Sequence, residues 1–249
     1  MAQGLLCPLS AMGEVVFRSG LVSGAVALER WMELLARNLS GLEVPGYRRH
    51  VVALGSRELS SEGLPLIVEP GPIGLDLSQG ELRPTGNPFD LALSGRGFFV
   101  VETPMGRRYT RSGAFSVDRD GFLVTRSGLR VMGQGGPIQL GPGALSIVIN
   151  EHGEVFLDGE HVATLMVVDF PKGTGLLYEG GGLIRAEAEP IQAEGFQVKQ
   201  GFLERSNVSP VEEMARLLLL FRGFESYQKA LQLHLEERPK KLLEEVLRA

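Results

Sequence analysis

Two stretches of the chain carry apolar residues at helical spacing, and they lie near its two ends. From about position 21 to 42, Leu21, Ala25, Leu28, Met32, Leu35, Leu39 and Leu42 recur at alternating steps of four and three. That is the seam of a helix packed lengthwise on a neighbour. Ala27, Trp31 and Leu34 form a second stripe beside it, and Glu29, Arg30, Glu33 and Arg37 leave a narrow polar face. Glu33 and Arg37 stand four apart, the spacing of a helical ion pair. Gly41 and Pro45-Gly46 mark the stop. The second helix is expected over 209–235. Ser209 and Glu212 have the spacing of a capping box, with Pro210 at the first helical position and Glu213 adding charge to the first turn. Met214, Leu217, Phe221, Phe224, Leu231 and Leu235 continue the three-and-four spacing. The unbroken run Leu217, Leu218, Leu219, Leu220, Phe221 points apolar side chains right around the axis, at about 100° per residue. Such a helix needs neighbours on several sides. Pro239 is expected to kink or end it before the closing KKLLEEVLRA.

Between the helices the period shortens to two. Apolar runs recur at 91–94, 98–102, 108–111, 114–118, 121–125, 129–132, 145–150, 154–158, 163–170 and 196–199, separated by turn residues. Phe115 and Val117 alternate with Ser116 and Asp118, the pattern of a half-buried strand. The run ATLMVVDF at 163–170 lacks alternation and predicts one strand buried on both faces. Asp118-Arg119-Asp120-Gly121 and Asp158-Gly159 are hairpin turns. The stretch from 47 to 84 is rich in Gly, Pro and Ser and reads as connector with one or two short strands. The expected fold is therefore α+β: long N- and C-terminal helices paired as a coiled coil, with an inserted, mainly antiparallel β domain. Its divisions fall at 1–20 for an N-terminal extension, 21–46 for the first helix, 47–84 for the connector, 85–205 for the β domain and 206–249 for the second helix and tail.

Composition narrows the function without naming it. The 249 residues carry a net charge of −5 and no Lys/Arg block, which argues against nucleic acid as a partner. Cys7 is the only cysteine, so neither an intramolecular disulfide nor a cysteine zinc cage can form. No apolar stretch approaches the roughly 20 residues of a membrane span, and the first residues lack the charged segment of a signal peptide.

Candidate chemistry is sparse. The sequence holds no G-x-S-x-G, P-loop, H-E-x-x-H or G-x-G-x-x-G. His152, Glu154, Asp158 and His161 are the best-placed metal-type side chains, yet strand alternation sets some of them on opposite faces of a solvated hairpin, and they flank two turns. Asp118 and Asp120 have the character of turn formers rather than of paired catalytic carboxylates. No catalytic residue, metal or cofactor is expected.

Three blocks resemble one known family. ALERWMELLARNLSGLEVPGYRRH (27–50) is similar to an N-terminal signature with Asn38, Leu39, Gly46, Tyr47 and Arg49 at matching places. The stretch from 86 to 133 follows a pattern N-x-x-D-[LV]-A-[LI]-x-G-x-G-F-F, supplied by Gly95, Gly97, Phe98 and Phe99, and then Y-T-R-x-G-x-F. QGFLERSNVSPVEEMARLLLLFRGFESYQKAL (200–231) resembles the C-terminal signature, with Asn207 and Glu213 in register. Together these identify the chain as similar to the flagellar basal-body rod and hook family of axial proteins, most like the proximal or distal rod type. The resemblance implies a structural subunit, exported through the flagellar type III apparatus without a cleaved signal peptide. It implies polymerisation with itself and other axial proteins into a periplasm-spanning helical tube that transmits torque. The assembly residues implied are Leu21, Ala25, Leu28, Met32, Leu35, Leu39, Leu42, Met214, Leu217, Leu218, Phe221, Phe224 and Leu231.

The chain also departs from the family pattern. Arg37 and Gly41 stand where the signature has Asn, Pro45 precedes Gly46, Phe221 replaces Gln and Gly223 replaces Ala. The family's start aligns near Met12, so translation is expected to begin there. Two other readings stay open at this level: a hook-like axial protein, and a glycan-binding β domain dimerised by its helices. The latter is poorly served by a single tryptophan, Trp31, that sits on a helix.

Overall fold

The computed structural model describes the backbone of residues 9–57, 67–141 and 147–248, with side chains at 24, 26–52, 73–141, 147–229 and 232. Helix α1 (Leu9–Ser40) opens the chain and α2 (Pro210–Arg248) closes it. Between them lie β1 (His50–Arg57), β2 (Ile67–Leu75), β3 (Leu82–Pro84), β4 (Leu91–Ser94), β5 (Phe98–Thr103) and β6 (Gly106–Thr110). There follow β7 (Phe115–Val117), β8 (Leu123–Thr125), β9 (Met132–Gly133), β10 (Gly136–Pro137), β11 (Ile147–Ile149), β12 (Glu154–Leu157) and β13 (Glu160–Thr164). The last strands are β14 (Val167–Asp169), β15 (Leu176–Gly180), β16 (Leu183–Ala186), β17 (Ile191–Gln192), β18 (Gln197–Gln200) and β19 (Phe202–Glu204).

The chain divides into two units. One comprises Met1–Arg37, Val52–Ile73 and Pro210–Ala249; the other comprises Asn38–Val51 and Gly74–Ser209. The second unit is built on a six-stranded antiparallel sheet of order β15-β16-β6-β5-β14-β17. Its central strand β5 has apolar residues at every position from Phe98 to Val101, so both faces are buried. Phe99 and Val101 enter one core with Leu91, Phe115, Leu123 and Ile138. Phe98 and Val100 enter a second core with Tyr109, Met132, Phe170 and Ile184. A strand between two cores reads as a continuous apolar run for this reason.

Three expectations need correction. The fold is mainly antiparallel β with one helix at each end, and the described residues show no pairing of those helices as a coiled coil. The expected seam on α2 fails physically, because Met214 is 56% and Phe221 47% exposed while Leu220, buried, lies off it, as does buried Glu213. The helices approach where a Cβ on Gly24 would lie 3.6 Å from the Tyr227 ring. Second, α2 runs through Pro239 to Arg248 without a break; good helix formers such as Glu, Lys and Leu flank the proline on both sides. Third, the run at 163–170 is two strands, β13 ending at Thr164 and β14 beginning at Val167. β14 alone lies between the cores, with Val167 in the first and Val168 in the second.

Candidate functional site

The residues of the three sequence blocks converge, far apart in the chain, on one buried polar network in the second unit. Asn38 supplies its first member. Its side-chain amide donates to the His50 carbonyl at 3.0 Å and accepts the His50 N–H at 2.8 Å, clamping the start of β1. Only an amide side chain offers donor and acceptor in that pairing. Gly41 closes the turn beneath the Tyr47 ring, where a Cβ would fall 2.4 Å from the ring. A side chain at 41 would have to displace the Tyr47 ring. The buried Tyr47 hydroxyl meets His50 Nδ1 at 2.9 Å, and both rings pack edge-on against Tyr178.

The centre of the network is ionic. Glu204, with its side chain fully buried, accepts from Arg48 Nη1 at 2.8 Å and from Arg111 Nε at 2.9 Å. It also accepts the Gly80 N–H at 2.8 Å, and its own carbonyl receives the Gly46 N–H at 2.8 Å. Arg111 goes on to donate to the carbonyls of Gly97 (2.7 Å), Leu93 (3.1 Å) and Gly95 (3.0 Å). The Gly95-Arg96-Gly97 motif is therefore an acceptor cradle for a guanidinium, which demands five donors' worth of partners when buried. Gly97 reaches this geometry at φ 125°, and a Cβ there would meet Val167 Cγ1 at 2.8 Å. Burial pulls Arg111 below its ordinary value, opposed by the charge of Glu204. Arg111 nevertheless remains a cation, since arginine does not lose its proton in proteins.

Asn207 ties the last strand to the network. Its Oδ1 accepts the Arg49 N–H at 2.7 Å, and its amide donates to the carbonyls of Asp76 (2.8 Å) and Ser78 (3.0 Å). Asp76 is pushed up by burial, but hydrogen bonds from Ser78 and the charge of Arg49, 3.1 Å away, more than offset this and hold it below 3.8. Phe98 and Phe99 sit in the two cores. The sequence blocks thus mark a framework rather than a catalytic centre.

In the first unit, Glu213 is fully buried and accepts from Arg216 at 2.6 Å. The expected assembly residues divide by exposure. Leu35 is buried; Leu28, Met32, Leu39, Leu42, Leu217 and Phe224 are half-buried. Met214 and Phe221 are exposed, as are Leu218 at 63%, Leu219 and Val211. Leu21, Ala25 and Leu231 lie outside the described side chains. At about 100° per residue, Val211, Met214, Leu218 and Phe221 share an arc of about 80°, beside the face that carries buried Glu213 and Leu220.

Sequence reading missed Arg48, Arg111, Glu204 and Tyr178 as site residues. Arg111 and Glu204 stand inside the quoted signatures, but a pairing across so long a stretch of chain has no periodic signal. The metal-type side chains at 152–161 are engaged locally: Glu154 receives Asn150 at 2.6 Å, and His161 meets Thr164 at 3.1 Å.

Comparison with known proteins finds similarity to flagellar axial proteins. Residues 92–157 match the family model of the flagellar hook protein FlgE/F/G D1 domain, and 199–233 match that of the flagellar basal body rod FlgEFG protein C-terminal region. The chain is 34% identical over 215 residues to the flagellar basal-body rod protein FlgF of Rhizobium meliloti, covering 82% of this chain and 87% of that one. It is 33% identical over 211 residues to FlgF of Mesorhizobium japonicum, with the same coverage of 82% and 87%. It is 28% identical over 242 residues to the flagellar basal-body rod protein FlgG of Bacillus subtilis, covering 84% and 90%.

Proposed function

The chain belongs to the flagellar basal-body rod protein family and is a structural subunit of the rod; from that premise we propose that the exposed apolar stripe of α2 is the surface by which it joins its neighbours. Val211, Met214, Leu218 and Phe221 carry this reading, because a contiguous stripe left in water is a binding surface. Burying each such side chain contributes about 1.5–3 kcal/mol. The four together contribute about 6–12 kcal/mol, of the same size as an association cost of about 4–15 kcal/mol, so contacts beyond the stripe have to add to the joint. A heterologous contact whose rotation does not close yields an open helical tube. The partners are further copies and other axial proteins, and the subunit reaches them through the flagellar type III apparatus without a cleaved signal peptide. The place of action is the periplasm-spanning part of the basal body. Its role there is mechanical and not enzymatic: the ionic network keeps the β unit stiff while the rod transmits torque.

Deleting the gene from the native strain and imaging isolated basal bodies by electron cryomicroscopy tests this function. Rods that stop short, restored by the wild-type gene, are expected. Complete rods in the deletion strain would contradict it.

A further inference from the structure

Beside the ionic network, within the second unit, lies a cleft of about 390 Å³. The Gly95-Arg96-Gly97 loop forms one side and the turn Lys172-Gly173-Thr174 the other, with Arg48 and Arg111 at its base. Phe98, Phe170 and Leu176 supply apolar wall. Its charges do not balance. Arg48 and Arg111, each with a side chain only 2% exposed, share the single carboxylate of Glu204. Asp169, the one acid on the wall, pairs with Arg96 at 3.0 Å and its charge also acts on Arg111, which still leaves one acid on the wall against Arg96, Lys172 and the buried pair. Lys172 is exposed at the rim. Arg48 Nε is buried and has no hydrogen-bond acceptor among the described residues. A buried cationic excess is costly unless a counter-charge reaches it. Guanidinium groups are matched in shape by carboxylates, and the apolar wall suits the methylenes of a short acidic side chain.

We infer that this cleft binds a carboxylate group, delivered by an Asp or Glu side chain of a second copy of this chain. The net charge of −5 makes acids abundant on such a partner, and Glu187 and Glu189 are exposed examples. The identity of the donor rests on the subunit-assembly reading above, whereas carboxylate binding itself does not.

The experiment has two arms. In the first, the ¹⁵N-labelled full chain is titrated with glutarate at constant ionic strength, with sodium chloride as the reference salt. Saturable shifts confined to the amides of Gly95, Arg96, Gly97, Lys172, Gly173 and Thr174 are expected. Lys172→Gln, at an exposed position that leaves folding intact, weakens the binding roughly tenfold, as loss of one charge contact worth about 1.4 kcal/mol requires. Shifts absent, unsaturable or scattered over the surface overturn the inference. In the second arm, carbodiimide cross-linking and mass spectrometry are applied to the wild-type chain at assembling concentration. A Lys172 link to an Asp or Glu of another copy supports the donor named here. Binding of glutarate without that link overturns the donor and leaves a site for free carboxylates. Assembly that fails altogether while glutarate still binds counts against the α2 surface and not against the cleft.

Discussion

Replacing Glu204 by Gln is the sharpest perturbation of the framework. The side chain keeps its shape but loses the charge that two buried guanidinium groups share. Oε1 accepts from Arg48 Nη1 and Gly80 N, both at 2.8 Å, and Oε2 accepts from Arg111 Nε at 2.9 Å. In glutamine one of those acceptors becomes an NH₂ donor, so at least one bond turns into a donor–donor contact. Both arginine side chains are 2% exposed, so little of either faces solvent when the partner is lost. Removing one partner of a buried ion pair costs about 3–5 kcal/mol. Set against a total of about 5–15 kcal/mol, that is a large fraction of the stability. For a unit of this size each 1 kcal/mol shifts Tm by roughly 2–4 °C, which places the expected fall at roughly 6–20 °C. Scanning calorimetry with urea unfolding followed by near-ultraviolet circular dichroism reads both quantities. Arg205→Ala is the control: its pair with Glu81 is 60% and 73% exposed, and losing it costs under about 1 kcal/mol. A Glu204→Gln protein within about 1 kcal/mol of wild type would refute the claim that this network holds the β unit together.

Other outcomes follow from the same geometry. Gly97→Ala combines a φ of 125° with a 2.8 Å clash against Val167, and is expected to lose about 2–4 kcal/mol in urea unfolding; a neutral result would show that the loop relaxes freely. Asp76 has a folded value held below its ordinary 3.8, so its contribution is present above that value and is lost as pH falls through the folded one. Unfolding midpoints measured between about pH 5 and pH 2 should therefore fall less steeply in Asp76→Asn than in wild type, and identical slopes would remove Asp76 from the account. Asn38→Asp keeps the acceptor for His50 N–H but loses the donor to its carbonyl. It is expected to cost about 1–3 kcal/mol, with faster hydrogen exchange at the start of β1 as the signature.

The strands were legible where one face was wet, as at Phe115 to Val117, because alternation reports the pleat. They were least legible at β15 and β16, where Gly180, Gly181 and Gly182 interrupt the pattern and the sheet is held by pairing such as Tyr178 with Ile184. Helix positions were legible from periodicity, but not which stripe each would bury. Leu217 to Phe221 is apolar on every side, so the three-and-four seam through Leu217 and Phe221 did not pick out the buried position; Leu220 is buried while Leu218 and Leu219 are exposed. The Asn, Gly and Tyr of the signatures were visible as motif letters. Their work became visible only in three dimensions, where Asn38 meets His50 and Arg111 meets the carbonyls of Gly95 and Gly97. Arg48 and Glu204 pair across 156 positions, a contact that no local pattern encodes.

As proposed, the exposed stripe of α2 serves assembly and not the subunit's own core. Leu218→Asp addresses it directly, because Leu218 is 63% exposed and its loss should leave monomer stability within about 0.5 kcal/mol. The measurement is the amount of the variant in basal bodies purified from a strain lacking the wild-type gene, alongside the calorimetric transition of the purified chain. An unchanged transition and no variant in the rod are expected. Normal incorporation of Leu218→Asp into complete rods would contradict it.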